Sequence, residues 1–191
     1  FHEFPSRLGN LHSIPVSEEW YLIVVNRWNE IPEDYRVELT ELSNGQKVDS
    51  RIYPYLQEMF DAARKDGIYP VVREGYRTYE EQQIKAYINE GYSQSRAKRI
   101  AKEWVALPGT SEHQLGIAID INADKSKSSN DEVYTWLAAN AHNYGFILRY
   151  PQGKQEITGT SYEPWHYRYV GVDAAREIYE RGICLEEYFE Q

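Results

Sequence analysis

Apolar residues recur at helical spacing in several stretches of the chain. A stripe at positions i, i+3, i+4 and i+7 predicts a helix over residues 54–65, and Gly67 follows as its stop. Thr78 and Glu81 have the spacing of a capping box, which predicts a helix from there to about residue 89. Further helices are predicted over residues 93–104, 129–143 and 172–181.

The most informative strand pattern is a strict alternation over residues 116–121. It places three isoleucines on one side and Asp120 on the other, together with the small residues Gly116 and Ala118. Further strands are predicted over residues 69–73, 146–149 and 165–170, and residues 24–34 predict a strand followed by a turn at Pro32. Because helices come early and strands cluster late, the predicted fold is α+β, with an antiparallel central sheet flanked by helices.

Charge and composition narrow the classes of function. The 191 residues carry 21 Lys and Arg against 30 Asp and Glu, a net charge of −9, so we expect no binding to nucleic acid, which requires basic surfaces. The single Cys184 excludes an internal disulfide framework and every cysteine-based metal motif. No segment approaches the roughly 20 apolar residues of a membrane span.

The chain divides into an N-terminal arm or linker, residues 1–25, and a single domain, residues 26–191. The arm has little periodicity, and two interpretations are open: it packs over the core, or it is a remnant of a tag and linker. The chain starts at Phe1 without a signal-like segment, so we expect a mature or trimmed extracytoplasmic domain whose signal or anchor has been removed.

Two short stretches carry the candidate chemistry, and the first joins His113 to Asp120. Seven extended residues span roughly 23–25 Å, whereas donor atoms on one zinc ion lie within about 3–4 Å of each other. A shared metal therefore requires the chain to fold back, and Gly116 offers a place for the bend. From spacing alone, a loop histidine and an unrelated strand aspartate are the simpler interpretation.

The second stretch places Glu163 three residues before His166, which Trp165 and Tyr167 flank. Aromatic neighbours shield the imidazole from water and favour its neutral form, which binds metal. Taken alone, the stretch also fits an aromatic strand whose polar groups pair with each other. Together, the two stretches offer His, Asp and His as ligands and one spare carboxylate, the pattern of a catalytic zinc site with a water and a general base.

These motifs resemble those of the VanY-type D-alanyl-D-alanine carboxypeptidases, zinc peptidases related to lysostaphin-type enzymes and the hedgehog domain. The motifs are S-x-H-x-x-G-x-A-x-D at residues 111–120, E-P-W-H at residues 163–166, G-Y-R at residues 75–77 and R-Y-P at residues 149–151. The resemblance implies that residues 26–191 form a zinc carboxypeptidase domain. One departure is Glu74, because family members often have serine before the glycine of G-Y-R.

The resemblance also implies roles for individual residues. The metal ligands are His113, Asp120 and His166. Glu163 is the catalytic base that activates the water, and Arg77 is a catalytic cation that binds the terminal carboxylate or the developing oxyanion. The other positions that bind substrate with Arg77 are Gln82, Ser111 and Tyr150. The open alternative for Arg77 is a surface ion pair with Glu74 or Glu81.

The function implied by the resemblance is a zinc-dependent D,D-carboxypeptidase that hydrolyses the terminal D-Ala-D-Ala bond of peptidoglycan stem pentapeptides. It implies a monomer at the bacterial cell surface or wall, which serves wall maturation or glycopeptide resistance. Two alternatives stay open: an L,D-carboxypeptidase that trims D-Ala from tetrapeptide stems, and a non-catalytic zinc-stabilised binding module. Glu163 argues against the second, because a binding module needs no general base.

Overall fold

The computed structural model describes residues 20–79, 81–82 and 109–190. The helices are α1 Tyr53–Lys65, α2 Asn130–Asn140, α3 Gln155–Thr158, α4 Val172–Arg181 and α5 Leu185–Tyr188. The strands are β1 Leu39–Glu41, β2 Lys47–Asp49, β3 Pro70–Glu74, β4 Ala118–Ala123, β5 Phe146–Leu148 and β6 His166–Tyr169, and two 3₁₀ turns span Glu112–Leu115 and Ala141–Tyr144. In this part of the chain, no helix combines the length and apolarity needed to cross a bilayer.

The central sheet contains four antiparallel strands in the order β3-β4-β6-β5, and β1 pairs with β2 in a separate ribbon. The predicted α+β class with an antiparallel central sheet is therefore confirmed. Asp120 on β4 lies opposite Glu74 on β3 and His166 on β6. Directly opposed residues project to the same face of a sheet, so one face collects ionisable side chains from three strands.

The other face of the sheet is apolar and packs against α1 and α2. Ile119 and Ile121 are fully buried there, with Phe146 and Tyr167 from the neighbouring strands. Burial of each isoleucine contributes about 1.5–3 kcal/mol. A one-residue slip of β4 would expose both side chains, so this burial fixes the register and keeps Asp120 on the ionisable face.

Helix boundaries follow the capping signals in the sequence. A capping box between Ser129 and Glu132 starts α2, and the α-helix ends at Asn140, after which the predicted continuation to residue 143 is a 3₁₀ turn. Thr78 and Glu81 exchange both capping-box hydrogen bonds at 3.0 Å, as predicted. Most of the helix that follows them, and the helix predicted over residues 93–104, lie outside the described residues.

The strand predicted at the start of residues 24–34 is wrong. Residues 23–25 are buried but join no sheet. The guanidinium of Arg168 donates hydrogen bonds to the carbonyl oxygens of Tyr21 and Ile23, at 2.7 and 2.5 Å, and so takes the place of a partner strand. Residues 20–25 therefore pack against the domain, whereas the arm predicted for residues 1–19 lies outside the described part of the chain.

Candidate active site

A 3₁₀ turn folds the chain back between His113 and Asp120. The turn ends at Gly116, whose φ of 80° lies in the left-handed region that favours glycine. A Cβ at this position would also meet the backbone nitrogen of Asp49 at 3.3 Å. The bend brings His113 Nε2 within 3.3 Å of Asp120 Oδ1, which is the approach that a shared metal ion requires.

His166 completes a cluster of three side chains that can bind metal. Its Nδ1 lies 3.2 Å from Asp120 Oδ1, and one donor atom from each of the three residues lies within 4.8 Å of the others. Donor atoms held tetrahedrally at about 2.0–2.2 Å from zinc are about 3.3–3.6 Å apart. The separations from Asp120 Oδ1 to both histidines are close to this range.

Asp120 Oδ1 is a buried acceptor with no hydrogen-bond partner among the described residues. One nitrogen of each histidine, His113 Nε2 and His166 Nδ1, lies within ion-pair range of this oxygen, but neither contact has the directionality of a hydrogen bond. Burial raises the pKa of Asp120, yet the nearby His113 and His166 outweigh burial and hold that pKa well below its usual range. A bound cation would satisfy this oxygen, and two imidazoles with one carboxylate are a donor set that suits Zn²⁺.

Each imidazole is oriented by a hydrogen bond at the nitrogen that faces away from the cluster. His113 Nδ1 is 3.0 Å from the carbonyl oxygen of Gly75, and His166 Nε2 is 2.8 Å from Glu112 Oε1. Carbonyl and carboxylate oxygens only accept, so both nitrogens donate. This leaves His113 Nε2 and His166 Nδ1 to face Asp120 as the nitrogens that could bind a metal ion.

The proton affinity of His166 depends on two nearby carboxylates as well as on its aromatic neighbours. Burial lowers its pKa, but the neighbouring carboxylates of Asp120 and Glu112 outweigh burial and raise the pKa to about 10. A metal ion and a proton would compete for Nδ1, because only the deprotonated nitrogen binds metal. The two carboxylates therefore affect the pKa of His166 more strongly than the shielding from water by Trp165 and Tyr167 does.

Glu163 is buried immediately beside the cluster, with Oε2 at 3.5 Å from His166 Nδ1. Burial raises its pKa to about 7, and the charges of Asp120 and Glu112 add to the rise. A carboxyl group that titrates near neutrality can take up a proton and return it. Glu163 therefore has the position and the proton affinity of a general acid–base group.

Arg77 is buried next to the cluster, with 6% of its surface exposed. Its backbone nitrogen donates to the carbonyl oxygen of His113 at 3.1 Å. Its guanidinium donates to Glu74 Oε1 at 2.9 Å, lies 2.5 Å from Glu74 Oε2, and donates to the side-chain oxygen of Gln82. The ion pair with Glu74, which the sequence left as an open alternative, is therefore present. It lies next to the cluster of three side chains that can bind metal and not on the free surface.

The other predicted substrate-binding residues, Gln82, Ser111 and Tyr150, are all buried. Gln82 contacts Arg77, and Ser111 directly precedes the 3₁₀ turn that carries His113. The ring of Tyr150 lies with its centroid 4.7 Å from that of His166. The structure thus places each of the three residues in contact with another predicted site residue, or within two positions of one along the chain.

Sequence reasoning missed a buried ionic network behind His166. Glu112 Oε2 accepts hydrogen bonds from Arg149 Nε at 2.9 Å and from an Arg168 terminal nitrogen at 3.0 Å, and both arginines are fully buried. Burial raises the pKa of Glu112, but the two guanidiniums outweigh burial and hold it well below its usual range. The available signals were Arg168 in an aromatic strand and Glu112 inside the first motif.

A hydrolytic metal centre needs fixed ligands, a proton acceptor beside them and a group that holds the substrate, and the ionisable face of the sheet offers candidates for all three. These features are those of a metal-dependent hydrolase, the class that includes the metallopeptidases. Comparison with known proteins then identifies the family: the sequence model of VanY, D-alanyl-D-alanine carboxypeptidase, matches residues 45–172. The chain belongs to the VanY family of D-alanyl-D-alanine carboxypeptidases.

Comparison with an individual relative supports the same family assignment. A D-alanyl-D-alanine carboxypeptidase of Enterococcus faecalis (strain ATCC 700802 / V583) is 59% identical over 177 residues, which cover 90% of this chain and 66% of that relative. The chain thus spans slightly less than two thirds of the length of that relative.

Solved structures of similar proteins share the fold as well. Vancomycin resistance D,D-pentapeptidase VanY from a VanB-type resistance cassette, in complex with Zn(II), is 59% identical with a TM-score of 0.85, covering 89% of this chain and 99% of that one. VanYB in complex with D-alanine-D-alanine is 58% identical with a TM-score of 0.86, covering 91% and 99%. The LD-carboxypeptidase LdcB is 37% identical with a TM-score of 0.77, covering 89% and 86%.

Proposed function

We propose that this chain is a zinc-dependent D,D-carboxypeptidase that hydrolyses the terminal D-Ala-D-Ala bond of peptidoglycan stem pentapeptides and releases D-alanine. The observation that carries the proposal is the buried cluster of His113, Asp120 and His166 with Glu163 at its edge. Similarity to a VanY solved with Zn(II) and to VanYB solved with D-alanine-D-alanine supports the same metal and the same dipeptide.

In the proposed mechanism, His113, Asp120 and His166 hold Zn²⁺, which when bound supplies a Lewis acid for the scissile carbonyl and lowers the pKa of water. Glu163 accepts the proton of the attacking water and later donates it to the leaving amine of D-alanine. Burial raises the pKa of the Glu163 carboxyl above its ordinary value, which favours uptake of the proton from the water.

Arg77 is proposed to bind the free carboxylate at the end of the stem peptide. An enzyme that removes one terminal residue must recognise that carboxylate, and the planar guanidinium matches it with two parallel hydrogen bonds. Its present partners Glu74 and Gln82 must share or release the guanidinium when substrate binds. Ser111 and Tyr150 are proposed to line the same pocket.

The alternative L,D-carboxypeptidase activity has a specific observation in its favour, the 37% identity to LdcB. The two activities differ in the configuration of the residue before the terminal D-alanine. Incubation with pentapeptide and tetrapeptide stems side by side, followed by mass spectrometry, separates them. Release of D-alanine only from the tetrapeptide would contradict the D,D assignment.

The proposed catalytic base is tested by Glu163→Gln, with Glu156→Gln as a control of equal charge change at an exposed site. We expect Glu163→Gln to lose about 10²- to 10⁴-fold in rate, the contribution of general acid–base catalysis. Both variants should keep one zinc per chain by mass-spectrometric metal analysis. Hydrolysis by Glu163→Gln at the parental rate would contradict the role of Glu163, and zinc binding without any hydrolysis in the parent would favour the binding-module alternative.

The cellular setting follows from the proposed substrate. Stem peptides lie outside the cytoplasmic membrane, so we propose an extracytoplasmic enzyme at the bacterial cell surface or wall, acting as a monomer. Removal of the terminal D-alanine serves wall maturation and also eliminates the D-Ala-D-Ala target of glycopeptides. Glycopeptide susceptibility of a host strain with and without the gene distinguishes these two roles.

A further inference from the structure

Glu112 contacts His166 on the side that faces away from the metal cluster. Its Oε1 accepts the hydrogen bond from His166 Nε2 at 2.8 Å, while its Oε2 accepts bonds from Arg149 and Arg168 at 2.9 and 3.0 Å. The Glu112 side chain has no solvent exposure. A buried carboxylate with partners on both oxygens has little freedom to rotate, so it presents Oε1 to His166 in a fixed direction.

The two arginines are themselves held by distant parts of the chain. Arg149 donates to both carboxylate oxygens of Glu186 on α5, each at 2.7 Å, and Arg168 donates to backbone carbonyls in residues 21–23. Two guanidiniums and two carboxylates make the buried charge balanced, which limits the cost of keeping it away from water. Glu112 is thus fixed independently of the metal cluster.

The two candidate histidine ligands differ in what orients them. His113 donates to the neutral carbonyl of Gly75, whereas His166 donates to an anionic carboxylate. A carboxylate at the far nitrogen fixes the ring and makes the metal-facing nitrogen a better donor. We propose that Glu112 is a positioning residue that holds His166 Nδ1 toward Asp120 and thereby strengthens zinc binding. The inference rests on the zinc site of the proposed function but not on its substrate.

The variant Glu112→Gln tests this role, because glutamine keeps the shape and an acceptor oxygen but removes the charge. The matched control is Glu186→Gln, which removes a buried carboxylate charge from Arg149 in the same network without touching His166. Zinc dissociation constants are measured without substrate, by competition with a chromophoric chelator. We expect zinc binding to weaken about 10- to 100-fold in Glu112→Gln, the usual effect of losing such a partner, and to stay near the parental value in Glu186→Gln.

Two outcomes overturn the inference: parental zinc affinity in Glu112→Gln, or an equal loss in both variants, which would mean that the network acts only through the fold. Glu112→Asp gives a second comparison, because it preserves the buried charge while withdrawing the carboxylate from His166. It should weaken zinc binding although Arg149 and Arg168 keep an anionic partner, and unchanged affinity would contradict the positioning role.

Nitrogen NMR of the zinc-loaded parental protein adds a test that depends on no variant. A proton on His166 Nε2 supports the inference, and a proton on Nδ1 overturns it. Because zinc affinity and ring protonation are read without substrate, the result stands apart from the carboxypeptidase assay. A protein that binds zinc as expected but hydrolyses no stem peptide would contradict the proposed function alone.

Discussion

Replacement of Gly75 by alanine is expected to weaken both the fold and the metal cluster. The Gly75–Tyr76 backbone lies against β2, where the nitrogen of Tyr76 donates to the carbonyl oxygen of Lys47 at 2.6 Å. A Cβ on Gly75 would lie 2.2 Å from that same oxygen, whereas ordinary Cβ contacts are 3.4–4 Å. The same residue orients His113 through its own carbonyl group.

The size of the effect follows from this overlap. Both clashing atoms belong to the backbone, so no rotamer change relieves the contact and the two chain segments must part by about 1.2 Å (3.4 − 2.2). Overpacking of this kind costs typically about 1–3 kcal/mol, and the upper end applies where neither partner can rotate away. For a domain of this size, a loss of about 3 kcal/mol corresponds to a drop in Tm of about 6–12 °C.

Thermal unfolding and zinc affinity are measured for Gly75→Ala and for a matched control, Gly153→Ala. Gly153 has a φ of 76°, but a Cβ added there would meet no atom within 4 Å, so its replacement introduces backbone strain without a clash. We expect Gly153→Ala to lose about 1 kcal/mol of stability and to keep its zinc affinity. Parental Tm and zinc affinity in Gly75→Ala would refute the reasoning.

Two further predictions concern charge and burial. Glu74→Gln should lower KM for D-Ala-D-Ala peptides about 5-fold with kcat unchanged. The reason is that Glu74 competes with the substrate for Arg77, and a partly exposed ion pair of this kind is worth about 1 kcal/mol. Steady-state kinetics measure the effect, and a raised KM would contradict the prediction. Burial raises the pKa of Cys184 from 9.0 to about 12, so iodoacetamide at about pH 8, just below the ordinary thiol pKa, should label it only after unfolding in guanidinium. Stoichiometric labelling of the native protein, detected by mass spectrometry, would contradict this prediction.

Local signals in the sequence were sufficient for much of the fold. The capping boxes at Thr78 and Ser129 fixed where helices begin, since their hydrogen bonds join residues only three apart. The alternation around Ile119 assigned each face of β4. The buried run at residues 23–25 misled, because an apolar stretch whose carbonyl oxygens accept from Arg168 and Arg149 has the same composition as a strand.

The candidate site, like the fold, could be predicted only in part from the sequence. The motifs that carry His113, Asp120 and His166 were visible, but spacing alone did not decide between a metal site and unrelated residues. The ionic network was beyond a single sequence, because Glu112 and Arg168 are 56 residues apart and both are of types usually exposed to solvent. Their pairing depends on the register of β4 against β6, which only the folded sheet sets.

The link from Glu112 through Arg149 to Glu186 also bears on how the protein is made. Asn26 donates to Glu186 as well, and these two residues are 160 positions apart in sequence. A ribosome releases the segment around residue 26 long before the segment that contains Glu186. The last member of the buried ionic network therefore becomes available only when synthesis has passed α5, and a nascent chain that lacks this helix contains all three candidate ligands but leaves Arg149 without the carboxylate that binds both of its terminal nitrogens.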